Sequence, residues 1–177
     1  RIARSLQQAD AFGVARIDEA LALRADGIVK PIVLLEGFFE ALDLPVLAVN
    51  NLQTIVHNEE QLDAICHAKL DRPLKVWLKI DTGMHRLGID TADFSRYYQQ
   101  LSQSPNVQQP IILMSHLGCA DQVNTPQTLD QLDLFKKTVK GTHNDCSIAN
   151  SAAIINWPDS QYQWIPPEPM LDDVATL

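Results

Sequence analysis

Short apolar runs alternate with stretches of helical spacing along this chain, and that alternation limits the fold more than any other feature. The runs are rich in branched residues, which is typical of strands buried on both faces of a sheet. They lie at residues 11–16, 31–35, 46–49, 76–80, 111–115 and 146–149. The stretches of helical spacing lie at residues 18–25, 58–70, 92–102 and 128–139. Asp18 is a candidate N-cap of the first of them. The pattern predicts an α/β fold with a parallel sheet covered by helices.

Two architectures fit this order of elements, an open doubly wound sheet and a closed (β/α)8 barrel of the TIM type. A complete barrel needs about 250 residues, so a chain of 177 residues is expected to hold most of one but not all of it. The hydrophobic content of 46% is enough for the core of one domain. No Gly/Ser-rich linker interrupts the chain before a proline-rich stretch near its end, so the composition predicts no domain boundary before that stretch.

The net charge and the cysteines limit which classes of partner and which cellular compartment are expected. A net charge of -8 disfavours binding to nucleic acid or to anionic membranes, and the longest apolar runs fall far short of the roughly 20 residues that span a bilayer. Three cysteines without a Cys-x-x-Cys pair are typical of a reducing cytoplasm. The chain starts at Arg1 with no initiator methionine and no apolar signal core, so we expect its natural N-terminus upstream and no secretion. We therefore predict a cytoplasmic protein.

Polar residues follow three of the predicted strands, where α/β folds bind their ligands. The strand at 76–80 ends in Lys79-Ile80 and leads into residues 81–88, which contain two glycines, a carboxylate and the cation Arg86. His116 follows the strand at 111–115. Asn150 and Ser151 follow the strand at 146–149, where an amide, a hydroxyl and free backbone N–H groups can form an anion site at a helix start.

Each of these features also has a simpler interpretation. Arg86 can be a surface cation, His116 a hydrogen-bonded histidine at the end of a strand, and Asn150 with Ser151 only a helix N-cap. Lys79 is less ordinary, because an ammonium buried in an apolar strand must be paired or chemically altered.

Two His-x-x-Cys pairs offer a further alternative, a zinc site. The pairs are His116 with Cys119 and His143 with Cys146. A helix-length segment separates them and neither forms a Cys-rich knuckle, so the spacing argues against a metal site.

Residues 79–88 resemble the signature turn of the alanine racemases, and the order of further segments follows the same family. These segments lie at residues 12–20, 31–39, 56–58, 115–121, 149–153 and 157–165. The resemblance covers residues 1 to about 165 and so implies a domain at residues 1–165 and a divergent tail at residues 166–177. It implies an incomplete (β/α)8 barrel that binds pyridoxal 5'-phosphate, from a homodimeric family in which a β-rich C-terminal domain follows the barrel.

The resemblance also implies an activity and two residues at its centre. The family interconverts L-alanine and D-alanine through an aldimine of pyridoxal phosphate and supplies D-alanine for peptidoglycan. Arg86 would donate to the phenolic oxygen of the cofactor, a role that suits a rigid, always charged guanidinium. Lys79 would stand where some members carry a carbamylated lysine that orients this arginine.

Four more residues would contact the cofactor, as the resemblance implies. His116 would pack behind the pyridine ring, and Asn150 and Ser151 would lie at the phosphate. Leu35 is a weaker candidate for lining the same pocket.

The sequence departs from the family after its last tryptophan. Pro166 replaces the arginine that contacts the pyridine nitrogen, and Glu168 and Pro169 replace residues whose backbone N–H groups reach the phosphate. The Lys-Ala-x-x-Tyr-Gly-His segment with the cofactor-binding lysine does not occur in the 177 residues, nor does a match for the opposing tyrosine of the C-terminal domain. We therefore expect this polypeptide alone to racemise nothing. A stand-alone cofactor-carrying barrel and a catalytically dead remnant remain alternatives.

Overall fold

The computed structural model describes residues 2–165, in which strands and helices alternate as the sequence predicts. The strands are β1 (Phe12–Val14), β2 (Ile32–Leu34), β3 (Gln53–Val56), β4 (Leu74–Lys79), β5 (Val107–Met114) and β6 (Cys146–Ser147). The α-helices are α1 (Ile2–Ser5), α2 (Ile17–Ala25), α3 (Asp43–Val49), α4 (Glu59–His67), α5 (Phe94–Gln103), α6 (Gln127–Thr138) and α7 (Ser151–Asn156). Two 3-10 turns lie at Thr91–Asp93 and Pro158–Ser160. None of the helices in this part of the chain is long and apolar enough to cross a bilayer.

The strands form one sheet in which their spatial order is their order in the chain. β1 to β4 pair in parallel, with Phe12 opposite Ile32 and Thr54 opposite Val76, and β5 pairs in parallel with β6. A doubly wound sheet reverses its strand order at a switch point, and no reversal occurs within residues 2–165. The order is that of consecutive β/α units of a barrel.

The residues divide into two compact units. The first comprises residues 2–78 and 96–111 of the described chain. Its core consists of side chains from β2, β3 and α4, which are almost fully buried: Ile32, Leu34, Ile55, Val56, Leu62 and Ile65. The second unit comprises residues 79–95 and 112–165. Its core includes side chains of β5, α6 and α7 and the residue after β6, all almost fully buried: Leu113, Leu132, Phe135, Ala153 and Ile148.

The structure corrects the sequence prediction at residues 46–49, which belong to α3 and not to a strand. Leu44, Leu47 and Ala48 are buried at helical spacing, whereas Val49 on the other side is 71% exposed. A run of apolar letters therefore hid a one-sided helix, and the neighbouring strand is β3.

Asp18 is also not the N-cap of α2, because the helix begins one residue earlier, at Ile17. Arg16 occupies the cap position, and the carboxylate of Glu19 accepts hydrogen bonds from the backbone N–H groups of Ala15 at 2.9 Å and Arg16 at 3.0 Å. The glutamate at the third helical position thus satisfies the N–H groups just before the helix, as in the glutamate half of a capping box.

Arg24 secures the amino-terminal side of the first unit. Its guanidinium donates to the carbonyls of Ile28 at 2.7 Å, Lys30 at 2.8 Å, Asn50 at 2.8 Å and Asn51 at 2.8 Å. Burial lowers the pKa of this group, which remains charged at neutral pH. One side chain therefore links the end of α2 to the chain entering β2 and to the end of α3.

We expect Arg24→Met to lower the free energy of unfolding by about 2 kcal/mol, because charge-assisted hydrogen bonds to partly buried carbonyls are lost. Urea titration of both variants measures the effect. Arg72, an exposed arginine of the same unit, supplies the control Arg72→Met, which should change stability by less than about 0.5 kcal/mol. Equal losses in the two variants would contradict the linking role.

Candidate functional site

One carboxylate organises the loop at residues 81–88. Oδ1 of Asp81 accepts hydrogen bonds from the backbone N–H groups of Gly83 at 2.9 Å, Met84 at 3.1 Å and His85 at 3.1 Å, and Oδ2 lies 3.0 Å from Nδ1 of His85. Burial alone would raise the pKa of Asp81, but the hydrogen bonds from Gly83 and His85 outweigh it and lower that pKa. The carboxylate therefore stays ionised and holds the loop in one conformation.

The two ends of this loop are joined by backbone hydrogen bonds. Asp81 N–H donates to the carbonyl of Ile89 at 2.9 Å, and Ile89 N–H donates to the carbonyl of Lys79 at 2.9 Å. Gly88 closes the loop at φ +145, where an added Cβ would lie 2.5 Å from the nitrogen of Asp81. No other residue fits there. The closed loop leaves Arg86 exposed beyond the carboxyl end of β4.

Lys79, Arg86 and His116 come together in the second unit. Lys79 is the last residue of β4 and is only 6% exposed. Burial, followed by the charges of Lys79 and Arg86, lowers the pKa of His116 to about 4. The imidazole is therefore neutral at physiological pH, and the positive charges of Lys79 and Arg86 help to keep it so. The surface-cation interpretation of Arg86 explains its exposure but not this convergence.

Buried hydroxyls connect β5 to the beginning of the Asp81 loop. Ser115 donates to the carbonyl of Ile80 at 2.8 Å, and its Oγ lies 2.8 Å from Oγ1 of Thr82. Ile80 N–H donates to the carbonyl of Met114 at 2.7 Å. These bonds fix His116, the residue after Ser115, beside the loop that carries Arg86.

The start of α7 carries one satisfied and one unsatisfied side chain. Oδ1 of Asn150 accepts from Ala153 N–H at 3.0 Å and Nδ2 donates to the carbonyl of Leu117 at 3.1 Å, so Asn150 is the N-cap of this helix. Ser151 is 5% exposed, and its Oγ has no hydrogen-bond partner. Helix capping therefore explains the hydrogen bonds of Asn150 but gives the hydroxyl of Ser151 no hydrogen-bond partner.

Ser147 is a polar residue that the sequence pattern did not single out. It ends β6, is 1% exposed, and its Oγ also lacks a partner. Within residues 2–165, Ser147 and Ser151 are the two residues with buried side-chain polar atoms in this state. Such a hydroxyl is costly unless a ligand or water satisfies it. Its position in an apolar run gave no signal in the sequence.

Leu35 lies in the first unit, directly after β2. Its N–H donates to the carbonyl of Val14 at 2.8 Å, and its side chain packs over Gly13, where an added Cβ would come within 2.8 Å of Cδ1. Its contact with a cofactor stays a prediction.

The His-x-x-Cys pairs do not assemble into a metal site. In the part of the chain that the structure describes, no group of three or more His, Cys, Asp or Glu side chains is placed to hold a metal ion.

Comparison with known proteins connects this geometry to one family. The family model described as "Alanine racemase, N-terminal domain" matches residues 1–167. The alanine racemase of Vibrio cholerae is 51% identical over 166 residues, which are 94% of this chain and 46% of that protein. The alanine racemase of Photobacterium profundum is 52% identical over 166 residues, which are again 94% of this chain and 46% of that protein. The chain thus spans about half the length of these relatives.

Solved structures give the same result. The biosynthetic alanine racemase of Pseudomonas aeruginosa matches with a TM-score of 0.88 and 39% identity, over 93% of this chain and 46% of that one. The alanine racemase of Acinetobacter baumannii matches with a TM-score of 0.82 and 29% identity, over 95% of this chain and 47% of that one. The predicted fold class, an incomplete (β/α)8 barrel, is confirmed. The chain belongs to the alanine racemase N-terminal domain family.

Proposed function

We propose that this chain is the cofactor-holding part of an alanine racemase that interconverts L-alanine and D-alanine with pyridoxal 5'-phosphate. The observation that carries the proposal is the placement of Lys79, Arg86 and the half-buried His116 after the neighbouring ends of β4 and β5, which hydrogen bonds from Ile80 to Met114 and from Ser115 to Ile80 hold together. Membership of the family supports it. The relatives that carry the name are about twice as long, so the activity belongs to a protein of that size.

The side chains present fit the cofactor. The hydroxyls of Ser147 and Ser151 are buried donors without partners, and phosphate oxygens are strong acceptors. Arg86 offers a permanent positive charge, which suits a phenolate oxygen. When bound, pyridoxal phosphate withdraws electrons from the α-carbon of an amino acid and makes its proton acidic.

Each residue of the site then has a physical task. Arg86 donates to the phenolic oxygen, and Asp81 holds its loop in place. Ser151 donates to the phosphate, with Asn150 capping the helix from which that hydroxyl projects. His116, kept neutral, packs its flat ring behind the pyridine. The roles of Arg86, His116 and Ser151, a position of Asn150 at the phosphate and a lining role for Leu35 are the ones the family resemblance implies, whereas the capping role of Asn150 comes from its hydrogen bonds.

The effect of Lys79 on Arg86 depends on the charge state of Lys79. As an ammonium it repels the guanidinium and depresses the pKa of His116. As a carbamate, the form that the family resemblance implies for some members, it would be anionic and would attract Arg86 instead.

Proton transfer at the α-carbon is assigned to no side chain of this site. Among the tyrosines, Tyr97 donates to Oε2 of Glu59 at 2.9 Å, and burial together with that bond raises its pKa to about 12. We propose that this chain binds and orients, while the lysine and tyrosine bases described for the family act from elsewhere in the whole protein. The tail at residues 166–177, with Pro166, Glu168 and Pro169, lies outside the described residues.

The wider biological setting follows from the same proposal. We infer that the whole protein takes alanine as substrate, works as a homodimer in the cytoplasm and supplies D-alanine for peptidoglycan.

Ser151→Ala is expected to weaken binding of pyridoxine 5'-phosphate about tenfold, because one hydrogen bond to a charged phosphate is lost. This probe carries the ring, phenol and phosphate but no aldehyde, so it forms no adducts with surface lysines. Titration of the chain followed by phosphorus NMR measures the affinity. Ser160→Ala is the matched control, since Ser160 is buried but donates to the carbonyl of Trp157 at 2.7 Å. Equal affinities in all three proteins would remove Ser151 from the phosphate site.

A further inference from the structure

Gln131 is a buried amide that uses both of its ends on the loop of His116. It lies on α6 and is 1% exposed. Oε1 accepts a hydrogen bond from the backbone N–H of Gly118 at 2.9 Å, and Nε2 donates one to the carbonyl of His116 at 3.0 Å. The amide therefore bridges the backbone on both sides of Leu117 and fixes the direction in which the chain leaves β5.

The same side chain contacts the loop that carries Arg86. A Cβ added at Gly83 would lie 3.4 Å from Cγ of Gln131, so the backbone of this loop packs directly on the glutamine stem. At Gly118, an added Cβ would lie 3.5 Å from Cγ of Met84. The His116 loop and the Arg86 loop thus meet around one side chain.

An apolar residue would fill this position without the cost of burying an amide. A buried amide that is hydrogen-bonded at both its oxygen and its nitrogen is instead typical of a place where one backbone conformation must be selected. The first unit contains a comparable bridge. Gln61, 5% exposed, accepts from His57 N–H at 2.9 Å and donates to the carbonyls of Glu36 at 3.2 Å and Phe38 at 3.1 Å.

We propose that Gln131 is a positioning residue of the cofactor site, which sets the place of His116 against Arg86 and Lys79 through the backbone of residues 116–118. This proposal rests on the proposed function, because the ring that His116 packs against is the cofactor's. Gln131 itself contacts no reacting atom. It acts by holding the two loops at one separation.

Gln131→Met and Gln61→Met form a matched pair of tests. Methionine has the length of glutamine and makes no comparable hydrogen bonds, so both variants lose a buried bridge and both should unfold at lower urea concentration. Only Gln131→Met is expected to expose His116 to solvent and to move it away from the charges of Lys79 and Arg86. Its titration midpoint, followed by NMR of the ring carbon protons in the 177-residue chain, should rise by at least one pH unit from the value of about 4.

The same two variants should differ in ligand affinity. Gln131→Met is expected to bind pyridoxine 5'-phosphate about tenfold more weakly, as is typical when a side chain that orients a ligand-contacting residue is lost. Gln61→Met should bind as the unmodified chain does. If Gln131→Met does not fold, Gln131→Asn, which withdraws the amide by one methylene group, should shift the His116 midpoint in the same direction.

The outcomes separate the two proposals. An unchanged His116 midpoint in a folded Gln131 variant, with stability reduced as in Gln61→Met, overturns the positioning role and makes Gln131 a structural residue only. A raised midpoint in a chain that binds no pyridoxine 5'-phosphate supports the positioning of His116 while contradicting the proposed function.

Discussion

Replacing Arg86 by methionine is expected to lower kcat/KM for L-alanine by about 100- to 1000-fold in a chimera in which residues 1–165 replace the matching part of the Vibrio cholerae alanine racemase. Losing one charged donor at a site of developing negative charge typically has an effect of this size. The hydrogen bonds to Asp81 fix the backbone of the three residues before Arg86, and so the position from which its side chain extends. Conversion of L-alanine to D-alanine, followed by a D-amino acid oxidase coupled assay, measures the loss.

Arg72→Met in the same chimera is the control, because Arg72 is an exposed arginine of the first unit. It should leave kcat/KM within about twofold of the unmodified chimera. If Arg86→Met also changes it by less than tenfold while folding normally, the assignment of Arg86 to the phenolic oxygen is wrong.

The second large effect concerns pH. The pKa of His116 is about 4 in the folded chain and 6.5 in an unperturbed histidine. Between these values the unfolded chain binds a proton that the folded chain does not, so stability rises with pH. The contribution is fully present above pH 6.5 and is lost as the pH falls through 4, which amounts to about 3 kcal/mol between pH 7 and pH 4.

Urea titrations from pH 7 to pH 4 measure this dependence. Protonation of carboxylates whose pKa is lowered, such as Asp81, also destabilises the protein on acidification. Variants are therefore needed to isolate the contribution of His116. His116→Gln should remove most of the slope between pH 6.5 and pH 4. His67→Gln should retain it, because His67 is exposed and pairs with Asp63. Identical slopes in the two variants would show that His116 is not buried beside Lys79 and Arg86.

The strands and the site loops could be predicted because their signals are local. β2 and β4 follow from branched apolar runs, and residues 79–88 form a contiguous motif whose glycines and carboxylate are needed within one turn. His116 and Asn150 lie within a few residues of the carboxyl ends of β5 and β6, where the fold places ligand-binding groups.

The features that the sequence did not reveal depend on partners distant in the chain. Whether residues 46–49 form a helix or a strand is decided by which of their side chains are buried. The open hydroxyl of Ser147 is visible only when its surroundings are known. Gln131 accepts a hydrogen bond from an N–H group 13 residues earlier in the chain. It lies on a helix for which the sequence predicted only a role in covering the sheet.

The split between Asn150 and Ser151 illustrates the same limit. Both follow a buried strand, and a capping role and a phosphate-binding role fit either residue type at a helix start. Only the hydrogen bonds separate them, since the amide of Asn150 is satisfied within the chain and the hydroxyl of Ser151 is not.

The most direct test of the central proposal is racemisation by the chimera itself, loaded with pyridoxal phosphate and assayed beside the 177-residue polypeptide. The chimera restores the lysine and tyrosine bases of the relative around the loops of this chain. We predict that it interconverts L-alanine and D-alanine, and that the 177-residue polypeptide alone does not. A folded chimera that binds the cofactor but produces no D-alanine would contradict the proposal that these loops are the cofactor-holding part of an alanine racemase.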